Sequence, residues 1–317
     1  VIIVRTSTEE EATMRNSRLS ISFILVLVTA GFLACGDDSP VGVGESVTET
    51  LRLGPFTMSP GQEMEGYTTD IPRPSGDFGL QAVSFEVTDE TGTPIEHHDF
   101  HLHHIVMHNG NRDDHACPGE TERFIAAGQE KTPIGPFPDG YAYPIAAGDR
   151  LDAVYHLMDT RASGEGEMRV YIEYEMTYLP GASGYRPLTP YFLDVVGCGG
   201  NSTYDVPGNG GPGSEHVQTA SWTCTKDGLV LWVAGHLHEG GKRLTLTNET
   251  RDDLICQADL TYDEQGELSM SSCAPLMEIR QGDICTLESV YDNSHYWEDA
   301  MGIVLAYIWE SSETGDE

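Results

Sequence analysis

A chain of 317 residues is long enough for two ordinary domains, each with its own core. Its 39% hydrophobic content excludes a disordered polymer. A formal charge of −34 and a pI near 4.4 exclude a nucleic-acid partner, because phosphate binding needs clustered Lys and Arg.

The first element in chain order is a targeting segment over residues 14–35. Met14-Arg15-Asn16-Ser17-Arg18 is a short basic region, and Glu9, Glu10 and Glu11 before it are foreign to a signal, so Met14 is the expected start. Leu19 to Ala34 is an uncharged run of sixteen residues. As a helix it spans about 24 Å, marginal for a bilayer and ordinary for the apolar part of a signal peptide. Phe32-Leu33-Ala34-Cys35 resembles a bacterial lipobox, which predicts cleavage and lipidation at Cys35; an uncleaved anchor helix is the alternative. Both readings place the protein on the periplasmic side of a bacterial membrane, where a membrane protein complex is a candidate partner.

Residues 36–45 read as a polar tether. Setting Cys35 aside leaves six Cys, an even number that predicts up to three disulfides in an exported chain, with the pairing open. None forms a CxxC pair, which argues against a zinc ribbon or a dithiol redox motif.

Beyond the tether, short β-type runs alternate with Gly, Pro, Asn and Asp. From Glu167 to Tyr178, the side chains of Met168, Val170, Ile172, Tyr174, Met176 and Tyr178 fall on one face, and Arg169, Glu173, Glu175 and Thr177 on the other. That period of two marks a half-buried antiparallel strand. Further runs are Ala82 to Val87, Leu151 to Leu157, Leu229 to Ala234, Arg243 to Leu246 and Ile303 to Trp309. No segment after Cys35 sustains a helical period. The expected fold is all-β: two tandem antiparallel β-sandwich domains of jelly-roll type behind the signal or anchor segment. The breakers Leu179-Pro180-Gly181-Ala182-Ser183-Gly184 divide them into residues 46–182 and 183–312. The Gly-rich Pro207 to Ser214 lacks the Lys-Ser/Thr ending of a phosphate loop and reads as a surface loop. The sequons at Asn201 and Asn248 read as chance matches.

Twelve His are present, and His97, His98, His101, His103, His104 and His108 fall within twelve residues. Imidazole suits copper, zinc, iron and nickel, so the cluster points to a metal without choosing one; a solvated His-rich turn is the bland alternative. His103 and His104 are adjacent, and side chains adjacent in a regular strand point to opposite faces. Both reach one metal only at a bulge or a strand end. Ala234-Gly235-His236-Leu237-His238 follows an apolar strand, and a His-x-His spacing puts both imidazoles on one face.

Taken together these elements resemble the copper type II, ascorbate-dependent monooxygenases. Leu102-His103-His104-Ile105-Val106-Met107 is similar to that family's His-His-Met region. Ile125 to Gly128, Pro136 to Gly140 and Leu151 to His156 follow in order, then His236 and His238, then Glu298-Asp299-Ala300-Met301 entering a strand. The resemblance implies two copper ions per chain. One is expected on His103, His104 and His156, storing an electron. The other is expected on His236, His238 and Met301, the catalytic set, where dioxygen is used to hydroxylate a C–H bond of an organic small molecule. Ascorbate or another electron donor resupplies both, and an open cleft between domains separates the two sets. Met301 as ordinary core filling and His156 as a satisfied core His are the structural alternatives.

The pattern also departs from that family. Ala234 stands where its peptide-processing members carry Arg, Ile303 and Leu305 where they carry Asn and Tyr, and Gly302 where they carry Cys. The groups that grip a peptide carboxylate are absent, so the substrate stays open. Two rivals remain: a non-catalytic copper-binding or structural subunit of a membrane-associated complex, and a copper store built on His97 to His108.

Overall fold

Strands with a two-residue period build the whole of the structure, a computed structural model that describes residues 44–199, 201–263 and 268–311. The expected leader 14–35, its Cys35 and most of the tether lie outside the described residues. Among those described there is no α-helix, and no helix long and apolar enough to cross a membrane. The all-β expectation holds.

The described strands form four larger sheets and one ribbon. The first sheet runs Val47–Met58, Met168–Pro180, Phe78–Thr88, Tyr141–Ile145 and Arg186–Pro187, antiparallel except for its last pair. The second runs Glu63–Thr68, Leu151–Asp159, Phe100–Asp113 and Thr121–Gly128. The third runs Thr189–Asp194, Gly302–Glu310 and Gly228–Leu237, with Ser272–Cys273 and Met277–Ile279 along its far edge. The fourth runs Glu215–Thr223, Ile284–Asp292, Gly241–Asn248, Asp253–Tyr262 and Leu268–Met270. The ribbon pairs Tyr204–Pro207 with Tyr296–Ala300.

Each predicted run lies in one of these strands. Along Met168–Pro180 the alternation is physical: Val170, Ile172, Tyr174 and Met176 are buried, while Arg169 and Glu175 are exposed. Asn248 is fully buried and donates to Asp283 at 2.7 Å, so its sequon is not available for a glycan.

The third sheet explains why the described residues form one compact unit. Along Gly302–Glu310, Ile303, Leu305 and Tyr307 enter a core shared with the first two sheets, where they join Ile105, Phe124 and Ile172. The intervening Val304, Ala306 and Ile308 enter a second core with Leu244, Leu246 and Leu287 of the fourth sheet. Both faces are buried, so the strand reads as a continuous apolar run and lacks polar alternation. Each such Ile or Leu taken out of water contributes about 1.5–3 kcal/mol. The Tyr307 hydroxyl donates to the Phe124 carbonyl, and Cys117–Cys198 closes a disulfide across the same junction. A second disulfide joins Cys256 and Cys273.

Candidate metal centre

The strand Phe100–Asp113 slips its register against Leu151–Asp159: Leu102 pairs with Leu157, but His104 pairs with His156. His103 is the extra residue of a bulge, which is the condition for two adjacent imidazoles to converge. The ring atoms His103 Nδ1 and His104 Nδ1 come within 3.1 Å. His156 arrives from the neighbouring strand, its ring centroid 4.6 Å from that of His103 and 5.3 Å from that of His104.

His236 and His238 come from the end of Gly228–Leu237. Their rings lie 5.1 Å apart, as side chains two residues apart on one face allow. The ring of His238 lies 4.7 Å from the ring of His103. One ring nitrogen from each of His103, His104 and His238 lies within 4.8 Å of the other two. The five imidazoles therefore form one cluster where the second and third sheets meet. The expectation of two sets on opposite walls of an open cleft does not hold: the bulge and the shared sheet bring the sets into contact.

Met301 sits in the break between Tyr296–Ala300 and Gly302–Glu310. The ladder pairs His236 with Ile303 and Leu237 with Gly302, so its next position sets Met301 across from His238. The buried Tyr291 hydroxyl holds both residues: it donates to the Met301 carbonyl at 2.6 Å and accepts from the His238 amide at 2.9 Å. Met301 is half-buried against the shared core.

The rings are oriented by partners on their Nδ1 atoms. His236 Nδ1 lies 3.0 Å from a carboxylate oxygen of the buried Glu130, and His238 Nδ1 lies 2.7 Å from the Asp299 carbonyl. Both partners are acceptors, so each ring carries its proton on Nδ1 and turns Nε2 inward. The Nε2 atoms of His156, His236 and His238 are buried with no hydrogen-bond partner among the described residues. A buried polar atom left unsatisfied costs about 1–3 kcal/mol, and those of His236 and His238 fit a group that accepts lone pairs, whereas His156 Nε2 has the Glu63 carboxylate 3.6 Å away. Imidazoles held through Nδ1 by a carboxylate or carbonyl, with Nε2 free, are the usual outer arrangement of a metal ligand. The donor set fits a transition metal.

Electrostatics keep most of these rings neutral. Burial, reinforced by neighbouring imidazoles, lowers His103 to about 2 and His104 and His238 to about 3. For His236 burial acts in the same direction, but the charge and hydrogen bond of Glu130 outweigh it and raise the pKa. Outside the cluster, the exposed carboxylates of Glu63 and Glu65 each approach a nitrogen of His156 to 3.6 Å.

Close packing leaves little room. A Cβ on Gly128 would sit 2.7 Å from His236 Cε1 and 2.9 Å from the His103 carbonyl oxygen. The cavity beside His236, lined by Ala126, Ala234, Ile303 and Leu305 among others, holds about 10 Å³. Glu130, Thr132 and His236 supply the polar part of its wall.

Of the six clustered His, the centre takes His103 and His104. His97 and His101 pair with each other at 3.2 Å, and the exposed His98 lies 3.4 Å from Asp99. Sequence reasoning missed Glu130, Tyr291 and Gly128. Glu130 carried a usable signal, as an acidic residue just past Ile125-Ala126-Ala127-Gly128 in an apolar setting.

The family model described as stress up-regulated Nod 19 matches residues 45–126 and 162–311, well over half of the chain. The matched spans contain His103, His104, His236, His238 and Met301; His156 and Glu130 fall between them. The chain is also similar to two solved structures, an infectious bursal disease virus VP2 subviral particle and the same virus's Gt strain. Identity is 10% for both. The first covers 88% of this chain and 75% of that one, the second 89% and 74%. At a TM-score of 0.23 for each, neither carries a structural argument. No curated protein matches the chain.

The resemblance to the copper type II, ascorbate-dependent monooxygenases is overturned by the family match. Short His-His and His-x-His motifs report which donors a chain offers, and different families can offer the same donors. The departures at Ala234, Gly302, Ile303 and Leu305 already ran against that resemblance.

Proposed function

We propose, for a chain that belongs to the stress up-regulated Nod 19 family, that the five-histidine cluster is a copper centre with a redox role. The observation that carries this is the convergence of one ring nitrogen each from His103, His104 and His238 within 4.8 Å of one another, beside buried Nε2 atoms on His236 and His238 that have no hydrogen-bond partner among the described residues. Imidazole donors suit a copper that passes between its two oxidation states, and a thioether from Met301, whose backbone lies across from His238, would favour the reduced one. Bound there, copper supplies one-electron chemistry to dioxygen or another small oxidant, with ascorbate or a similar donor as reductant.

The chain's own residues prepare the site. Glu130 and the Asp299 carbonyl orient His236 and His238, and Tyr291 fixes the backbone between His238 and Met301. Burial keeps His103, His104 and His238 unprotonated, so their lone pairs remain available at neutral pH.

Hydroxylation of a C–H bond is the more specific reading. It needs an organic substrate beside His236, where about 10 Å³ of space favours a role that holds copper and handles only small molecules. The proposal extends to a tandem jelly-roll arrangement over residues 46–182 and 183–312. It also extends to a lipid anchor at Cys35 on the periplasmic side of a membrane; two closed disulfides support an oxidising compartment.

The test is metal content. Protein exposed to copper with a reductant and then dialysed is expected to retain at least one copper ion per chain, with nitrogen coupling in the spectrum of its oxidised form. Equal retention in a His103→Ala/His238→Ala variant would place the metal elsewhere. Reductant-dependent oxygen uptake, measured separately, distinguishes a redox enzyme from a store.

A further inference from the structure

Outside the metal centre, Cys224 and Cys285 are the cysteines left unjoined among the described residues, and their sulfurs lie 3.5 Å apart. The backbone already fixes their relation. Trp222 pairs with Cys285 across the ladder between Glu215–Thr223 and Ile284–Asp292, and the Cys224 amide donates to the Asp283 carbonyl at 2.8 Å. Cys224 therefore lies diagonally across from Cys285, held by a strand pair on one side and a hydrogen bond on the other.

We propose that Cys224 and Cys285 form a third disulfide, made by exchange with an external disulfide, that pins the edge strand Glu215–Thr223 to its neighbour. A disulfide needs its sulfurs at about 2.05 Å, which a small rotation of each side chain from the present separation supplies. The other two pairs are closed, so the oxidising conditions that joined them act on this pair too.

Access is provided by a cavity of about 250 Å³ between the third and fourth sheets. Both cysteines line it, together with apolar side chains that include Trp222, Val230, Leu246 and Ile255. Cys224 is half-buried, whereas Cys285 is buried. The hydrogen bond between the two thiols lowers the Cys224 pKa and raises that of Cys285, which makes Cys224 the first attacker. Its thiolate attacks one sulfur of the incoming disulfide and expels the other as a thiolate, leaving a mixed disulfide on Cys224. Cys285 then loses its proton, attacks the Cys224 sulfur and expels the second thiolate. Two electrons and two protons leave the cysteine pair, and the external disulfide becomes two thiols.

The experiment blocks free thiols with a maleimide in intact cells that export the full chain, before lysis, and then maps peptides without reductant. The expected result is no label on Cys224 or Cys285 and a cross-linked peptide containing both. A label on either residue, or a cross-link from either to a different cysteine, overturns the proposal. As a second measure, Cys224→Ser/Cys285→Ser protein is expected to melt on the order of 5 °C below the parent, with the gap vanishing in dithiothreitol. Equal midpoints without reductant count against the bond.

Discussion

Glu130 and His236 come from different sheet regions and meet at 3.0 Å, with the carboxylate on Nδ1 and the opposite ring nitrogen buried without a partner. A buried carboxylate that serves only to balance a protonated His would leave Nε2 needing an acceptor, and the described residues supply none. Under the proposed function the pair is the outer part of a ligand assembly.

Glu130→Gln tests that assembly, because it keeps the shape and the acceptor oxygen and removes the charge. Copper affinity, read by competition with a coloured chelator, is expected to fall about 10–100-fold, the usual effect of removing such a partner. An unchanged affinity would mean that His236 does not bind metal.

Gly128→Ala presses a methyl group onto His236 and the His103 carbonyl, at 2.7 and 2.9 Å. One contact is backbone and the other a held ring, so neither yields cheaply. A loss of about 1–3 kcal/mol in urea unfolding is expected, together with weaker copper retention. Retention equal to the parent at reduced stability would separate the packing role from the metal.

Tyr291→Phe removes one hydroxyl that serves the His238 amide and the Met301 carbonyl. Both backbone groups then lose a buried partner, at about 1–3 kcal/mol. Met301→Leu keeps volume and should cost less than about 1.5 kcal/mol, while lowering the preference for reduced copper. Redox titration of the loaded protein checks the second effect, and a potential indifferent to the sulfur would remove Met301 from the ligand set.

Acid should destabilise the metal-free protein. His103 at about 2, and His104 and His238 at about 3, lie below their ordinary value of 6.5. Between those limits the unfolded chain binds protons that the folded chain refuses, so stability rises with pH. The contribution is complete above pH 6.5 and is lost as pH falls toward 3. His236 is raised, so its contribution is present below pH 6.5 and is lost only as pH rises above that value, outside the acid window. Urea midpoints at neutral pH and near pH 5 should differ accordingly, and His104→Gln/His238→Gln protein should show a shallower slope.

The alternating run at Met168–Pro180 and the donors His103, His104, His236 and His238 were legible because each rests on spacing within a few residues. The apolar run before His236 was legible as a strand. Its burial on both faces was not, because one face meets a core that includes Ile105 and Phe124, more than a hundred positions away, and the other meets the fourth sheet. The family assignment failed for a related reason: short His motifs report which side chains a chain offers and not its lineage.

By itself the sequence determined that this chain is built of strands and that its imidazoles are grouped at a few short spacings. Period and residue type are local properties, and local sterics and donor chemistry read them directly. Only the tertiary structure decided that the two donor sets form one cluster. That outcome depends on the bulge at His103, on the sheet shared by both cores, and on Glu130, Gly128 and Tyr291 closing around the rings. Register and long-range packing produce those contacts, and neither is written in the spacing of neighbouring residues.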